Sequence, residues 1–178
     1  MPFAYYGRLS RRDRAVYDRS DAVPSIVLPH PEPLWPMVDV LGQGLAGDDR
    51  RVVEAAAQTL VRAITESLRV LPVDVGVLAV RPQLRQAELH GLYTHEPGRR
   101  PRIRVWMRTV RYKRVVAFRT FLRTLLHEVG HHLDYTYLKL PESFHTQGFF
   151  QRESSLFYQL VPREGPGPRR GPARRAGE

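Results

Sequence analysis

The chain has no cysteine. Disulfides and cysteine-ligated zinc fingers or ribbons are therefore excluded, and any metal must be held by His, Asp or Glu. Long apolar runs are missing as well. No stretch approaches the roughly 20 residues of a membrane span, and Met1 to Arg14 carries arginines without the apolar segment of a secretory signal. The expectation is a cytoplasmic protein with no membrane partner. Lysine is scarce: of 28 basic residues only Lys113 and Lys139 are lysine. The formal charge of +10 would suit a polyanion, since clustered Arg and Lys release counterions from phosphates. However, the arginines are spread over nearly every segment, and no aromatic-basic nucleic-acid motif accompanies them. The composition reads as arginine-biased solvated faces, and a nucleic-acid partner rests on the charge alone.

With 178 residues, 42% hydrophobic and 26% charged, the chain has the size and composition of one folded domain with tails. Residues 162–178 are Pro, Gly, Arg and little else, which predicts a disordered basic tail. Residues 1–36 are rich in Arg, Asp, Tyr and Pro around one short apolar run, Ile26 to Leu28, which predicts an irregular N-terminal arm. The domain proper is then 37–161.

Within it, Asp48 or Asp49 is a candidate N-cap for a helix through Leu68, with Val53, Ala56, Leu60 and Ile64 at helical spacing and Leu71-Pro72 as its stop. Val73 to Val80 reads as a buried strand and Leu89 to Thr94 as a second. After a Pro97-Gly98 turn, Arg102 to Val110 alternates Ile103, Val105 and Met107 with Arg102, Arg104 and Arg108, completing an antiparallel hairpin. Val115 to Asp134 is expected to be helical, with Phe118, Leu122, Leu125, Val129 and Leu133 facing inward. After a loop containing Pro141, Phe149 to Val161 forms the last helix. The expected order is helix, three strands, helix, loop, helix, an α+β fold.

The chemistry is carried by His127-Glu128-Val129-Gly130-His131. Histidines at i and i+4 lie on one helical face a turn apart, so both imidazoles can reach one zinc at about 2.0–2.1 Å. Glu128 sits about 100° around the helix from His127, placed to accept a proton from a zinc-activated water without ligating the metal. Thr124, Leu125, Leu126, Val129, Gly130 and Leu133 are uncharged, and two histidines and a glutamate in apolar surroundings are costly without a partner. Asp134, three residues after His131, shares the histidine face and is a candidate to orient a ligand imidazole. His132 is expected to be structural or solvent-exposed, His30, His90 and His95 have no informative spacing, and Tyr135 and Tyr137 are weighed as oxyanion donors against plain packing.

These residues resemble the zincin metallopeptidases. The resemblance implies a minimal zincin domain, with a small mixed sheet packed on the HExxH helix and a further C-terminal helix, and a zinc-dependent enzyme that hydrolyses peptide or protein substrates. It also implies that an edge strand holds the extended peptide, with Arg102 to Val110 or its neighbour as the candidate. The metzincin extension would need a glycine at position 134 and a histidine at 137, where the chain has Asp134 and Tyr137, and all three methionines precede the motif. For the third ligand two candidates stand. His145-Thr146-Gln147-Gly148-Phe149 is similar to the SprT-like pattern of a loop histidine before a helix with an aromatic four residues on, although the glycine comes three residues after the histidine. Glu153 is the gluzincin-like alternative, lying on the stripe Phe149, Leu156 and Leu160, although Phe157 stands where thermolysin-like chains carry an aspartate. His145 is favoured. A DNA-associated SprT-like protease and a non-catalytic zincin-fold binding module are the alternative functions.

Overall fold

The computed structural model describes residues 3–80, 90–96 and 98–161. The predicted tail 162–178, Leu89 of the second strand and Pro97 of the turn lie outside them. Five helices and three strands follow in the order α1 (Arg11–Asp21), α2 (Trp35–Ala46), α3 (Arg50–Ser67), β1 (Asp74–Val80), β2 (Gly91–Thr94), β3 (Arg102–Arg108), α4 (Phe118–Thr136) and α5 (Gln147–Leu160). The fold is α+β, as the sequence predicts.

The sheet is mixed, in the order β1-β3-β2, with β1 parallel and β2 antiparallel to β3. β3 is thus the central strand. Its inward residues Ile103, Val105 and Met107 are fully buried, whereas Arg102, Arg104 and Arg108 are not. The expectation that Arg102 to Val110 could itself be the open edge is corrected: both of its sides are paired, and the edge beside α4 belongs to β2. α4 packs on β2 and β3, α3 on β1, and α5 on α4. One core joins these layers, including Val53, Leu60 and Ile64 of α3, Leu122, Leu125 and Leu133 of α4, and Leu156 and Leu160 of α5.

Local chemistry sets the ends. Asp49, not Asp48, caps α3 by accepting from the N–H groups of Arg51 and Val52, while Thr146 caps α5 by accepting from Phe149 N–H.

The N-terminal region departs from the expected irregular arm, because Arg11–Asp21 is a helix. Ser10 caps it through Asp13 N–H. Its only buried apolar residues are Val16 and Tyr17, too narrow a stripe to register as periodicity. α2 is a second helix that the sequence does not announce, since Pro36 and two internal glycines look like breaks. Pro36 instead occupies the first turn, where no N–H is needed. Gly44 allows close approach to α3: a Cβ there would lie 2.9 Å from Val52 Cγ1 and 3.2 Å from the Val53 nitrogen.

Candidate metal centre

Helical spacing puts His127 and His131 side by side on α4, their rings 5.0 Å apart. The loop before α5 swings His145 over them. His145 Nε2 lies 3.0 Å from His127 Nε2 and 3.1 Å from His131 Nε2. These three histidines could hold a metal ion. Phe149, four residues past His145, forms the floor, its ring 4.8–5.3 Å from all three imidazoles. Gly130 makes room for it, since a Cβ there would come within 3.1 Å of the Phe149 ring.

The far nitrogens of the two helical histidines are anchored differently. His127 Nδ1 is 3.1 Å from Glu153 Oε2, and Arg123 donates to the other oxygen of that carboxylate at 3.3 Å. His131 Nδ1 is 2.7 Å from Ser143 Oγ, which donates to Asp134 Oδ2, whose Oδ1 accepts from Arg152 at 2.9 Å. In both cases the partner oxygen must accept, so each Nδ1 carries the proton and each Nε2 turns a bare lone pair to the centre. The His145 Nε2 hydrogen, if carried there, can serve only one of these lone pairs. A cation at the centre would satisfy all three nitrogens at once.

Electrostatics favour the same state. Burial, with help from His127 and His145, pulls the His131 pKa down to about 3. Burial and His127 also lower that of His145. Neutral imidazole is the ligating form. Glu128 is buried beneath β2, where burial raises its pKa to about 7, opposed by His127 and by the Tyr93 N–H that bonds it. A Cβ on Gly91 would collide with Oε1 of Glu128, so any other residue there would push this carboxylate out of its present place.

An open cleft of about 620 Å³ is lined by Glu128, the three histidines, Ser143 and Glu153, with Leu92 and Tyr93 of β2 along one wall. Its two ends differ. One carries Arg123 and Thr124; the other carries Tyr135, stacked on Tyr93 at 6.0 Å and tilted against His95 at 5.5 Å.

The structure brings His127, Glu128, His131 and His145 together as the sequence predicts. Glu153, the rival third ligand, stands behind His127 on the side away from the three converging nitrogens. Asp134 reaches His131 only through Ser143. Burial lifts its carboxyl above the ordinary range, opposed by Arg152 and Ser143. His132 is fully buried, its ring nitrogens on Tyr93 Oη (3.1 Å) and the Leu71 carbonyl (2.7 Å). Tyr135 lines the cleft, while Tyr137 is 43% exposed and does not. Sequence reasoning missed Ser143, Gly91, Arg123 and Arg152. Only Arg123 left a signal, one helical turn before His127 on the same face. Comparison with protein families, with curated proteins and with solved structures finds no match, so the chemical reading rests on the residues themselves.

Proposed function

We propose that this chain is a zinc metallopeptidase of the zincin type, in which His127, His131 and His145 hold zinc and Glu128 is the general base. The observation that carries the reading is the meeting of three Nε2 atoms, that of His145 lying 3.0 and 3.1 Å from those of His127 and His131, beside a buried carboxylate in one open cleft. The donor set fits zinc: nitrogens about 2.0–2.1 Å from a tetrahedral ion are about 3.3 Å apart, and three imidazoles leave a coordination position for reactant. Bound there, zinc would supply a Lewis acid and lower the pKa of water toward neutrality.

The protein's residues supply the remainder. Glu128, with a pKa of about 7, is poised both to take a proton from water and to return one to the leaving amine. Glu153 and the Ser143–Asp134 pair fix the two helical imidazoles, so little reorganisation accompanies reaction. β2 offers its outer edge along the cleft, where an extended peptide can add as a strand. An antiparallel addition would send the residues after the scissile bond toward Arg123 and those before it toward Tyr135, because β2 runs from Gly91 beside Glu128 to Thr94 near the end of α4.

The test compares wild type with Glu128→Gln. Each is expected to hold about one zinc per chain, while cleavage of unfolded protein or peptide libraries falls by about 10²–10⁴-fold in the variant. A zinc-free wild type, or equal cleavage by both, would sink this assignment. Zinc without cleavage in wild type would favour a non-catalytic zincin-fold module.

A second reading, a DNA-associated peptidase, has one observation in its favour. Residues 97–127 contain ten Arg or Lys and no Asp or Glu. Within them Tyr112 is 62% exposed, with the Arg111 and Arg114 guanidinium groups 5.1 and 5.6 Å from its ring. Salt-dependent retention on DNA, lost with Arg111→Ala and Arg114→Ala, separates the two readings.

A further inference from the structure

His127 and His131 are aimed by the helix that carries them, but His145 stands in a loop. Asp134 and His131 hold that loop at Ser143, and the contacts around His145 itself come from the opposite end of the chain. Tyr5 Oη donates to the His145 carbonyl at 2.7 Å. On the N-terminal side of His145, Phe144 tilts against the buried ring of Tyr17 at 6.3 Å. On its C-terminal side, Thr146 Oγ1 lies 3.4 Å from Ser20 Oγ, and Gly148 N–H donates to Asp21 Oδ1 at 2.8 Å. Phe3 meets Phe150 edge-on at 6.0 Å, and Phe150 in turn stacks on the His145 imidazole at 5.8 Å.

Two features show how closely the pieces fit. A Cβ on Gly148 would collide with the Asp21 carbonyl oxygen and lie 2.7 Å from that of Ser20, so the end of α1 is seated against the start of α5. Arg152 of α5 is 1% exposed. It donates to the carbonyls of Ser20 and Val23 at 2.6 Å, and to Ser20 Oγ and Asp134 Oδ1 at 2.9 Å. The same guanidinium therefore ties α1 to the Asp134–Ser143–His131 chain.

We infer that residues 3–23 are the positioning frame of the metal site, with Tyr5 and Asp21 as positioning residues that hold His145 where its Nε2 completes the three-nitrogen set. Neither touches the metal position. Without them the loop has the freedom to carry His145 away, and the site falls back toward the two ligands of α4. This inference rests on the reading that the three histidines bind a divalent ion.

The test is a cobalt(II) titration of the full chain, read by affinity and by the visible absorption band that reports coordination geometry. Tyr5→Phe removes one hydroxyl from an exposed contact and leaves the fold intact. It is expected to weaken cobalt binding several-fold. Asp21→Ala should weaken it by about tenfold or more, as loss of an outer support for a ligand does, and should alter the band. Asp21→Asn keeps an oxygen that can accept from Gly148 N–H, and should restore both. Val61→Ala, in the α3 core, supplies a general loss of stability without touching the frame, and its cobalt affinity should equal that of wild type.

Affinity and band unchanged in Tyr5→Phe and Asp21→Ala would overturn the inference while leaving the metal site standing, as would a Val61→Ala loss equal to theirs. Failure of wild type to bind cobalt would overturn both. Should Asp21→Ala fail to fold, Tyr5→Phe decides alone.

Discussion

At the scale of single residues, the two helical histidines are each backed by a carboxylate and an arginine, but by different routes. Glu153 touches His127 directly, whereas Asp134 reaches His131 through Ser143. Such outer partners fix ring orientation and raise ligand basicity, and their loss commonly lowers metal affinity by about 10–100-fold, whereas loss of a ligand leaves a weak two-ligand site. Glu153→Gln should therefore still bind zinc, within that range of weakening, and His145→Ala should lose it under the same conditions. Competitive titration at fixed pH measures both, fixed because protons compete for the ligands. Zinc lost in Glu153→Gln and kept in His145→Ala would reverse the ligand assignment. His127, Glu128 and His131 were legible in the sequence because helical geometry alone converts their spacing into a shared face. Glu153 was ambiguous because its stripe position shows that a buried carboxylate needs a cationic or hydrogen-bonding partner without saying which. Ser143 left no trace, since a loop serine becomes a bridge only once α4 and the loop are packed together.

At the scale of elements, α3, α4 and α5 were readable because each buries a broad apolar stripe, and the strands β1 and β3 because β-branched residues recur at the right period. α1 was not, since most of its attachment is polar: Arg152 reaches its last carbonyls and Asp21 binds the first turn of α5. That docking can be tested at the one glycine it demands. Gly148→Ala forces a methyl group against backbone carbonyl oxygens of Asp21 and Ser20, which cannot swing aside as a side chain would. A loss of about 1–3 kcal/mol is expected, the usual range for overpacking. Gly7→Ala is the companion variant, because a Cβ there meets nothing within 4 Å and should leave stability nearly unchanged. Urea unfolding of the two proteins gives the comparison. Equal midpoints would mean that α1 and α5 separate easily, and that the packing between them contributes little to holding the loop of His145.

At the scale of the whole molecule, the sequence held the parts of the sheet but not its order. Placing β3 between β1 and β2 depends on a long-range parallel pairing, and only that pairing puts β2 at the edge over Glu128. No helix among the described residues is long and apolar enough to cross a membrane. Burial of the site under this sheet gives the metal-free protein a pH signature. His131 has its folded pKa pulled from 6.5 to about 3, so its contribution is present above pH 6.5 and is lost as pH falls toward 3. Glu128 has the opposite sign: with its folded pKa raised from 4.5 to about 7, its contribution is present below pH 4.5 and is lost as pH rises through 7. Between 4.5 and 6.5 the two slopes oppose each other. Glu128→Gln isolates one of them, because the amide stays neutral throughout. Relative to that variant, chelator-treated wild type should hold a constant stability difference below about pH 4.5 and then lose ground steadily up to about pH 7. Urea unfolding of both proteins across that range provides the measurement. A wild type that gained on the variant as pH rose would mean that the folded site accommodates the ionised carboxylate better than the neutral acid, against the burial that raises the pKa of Glu128.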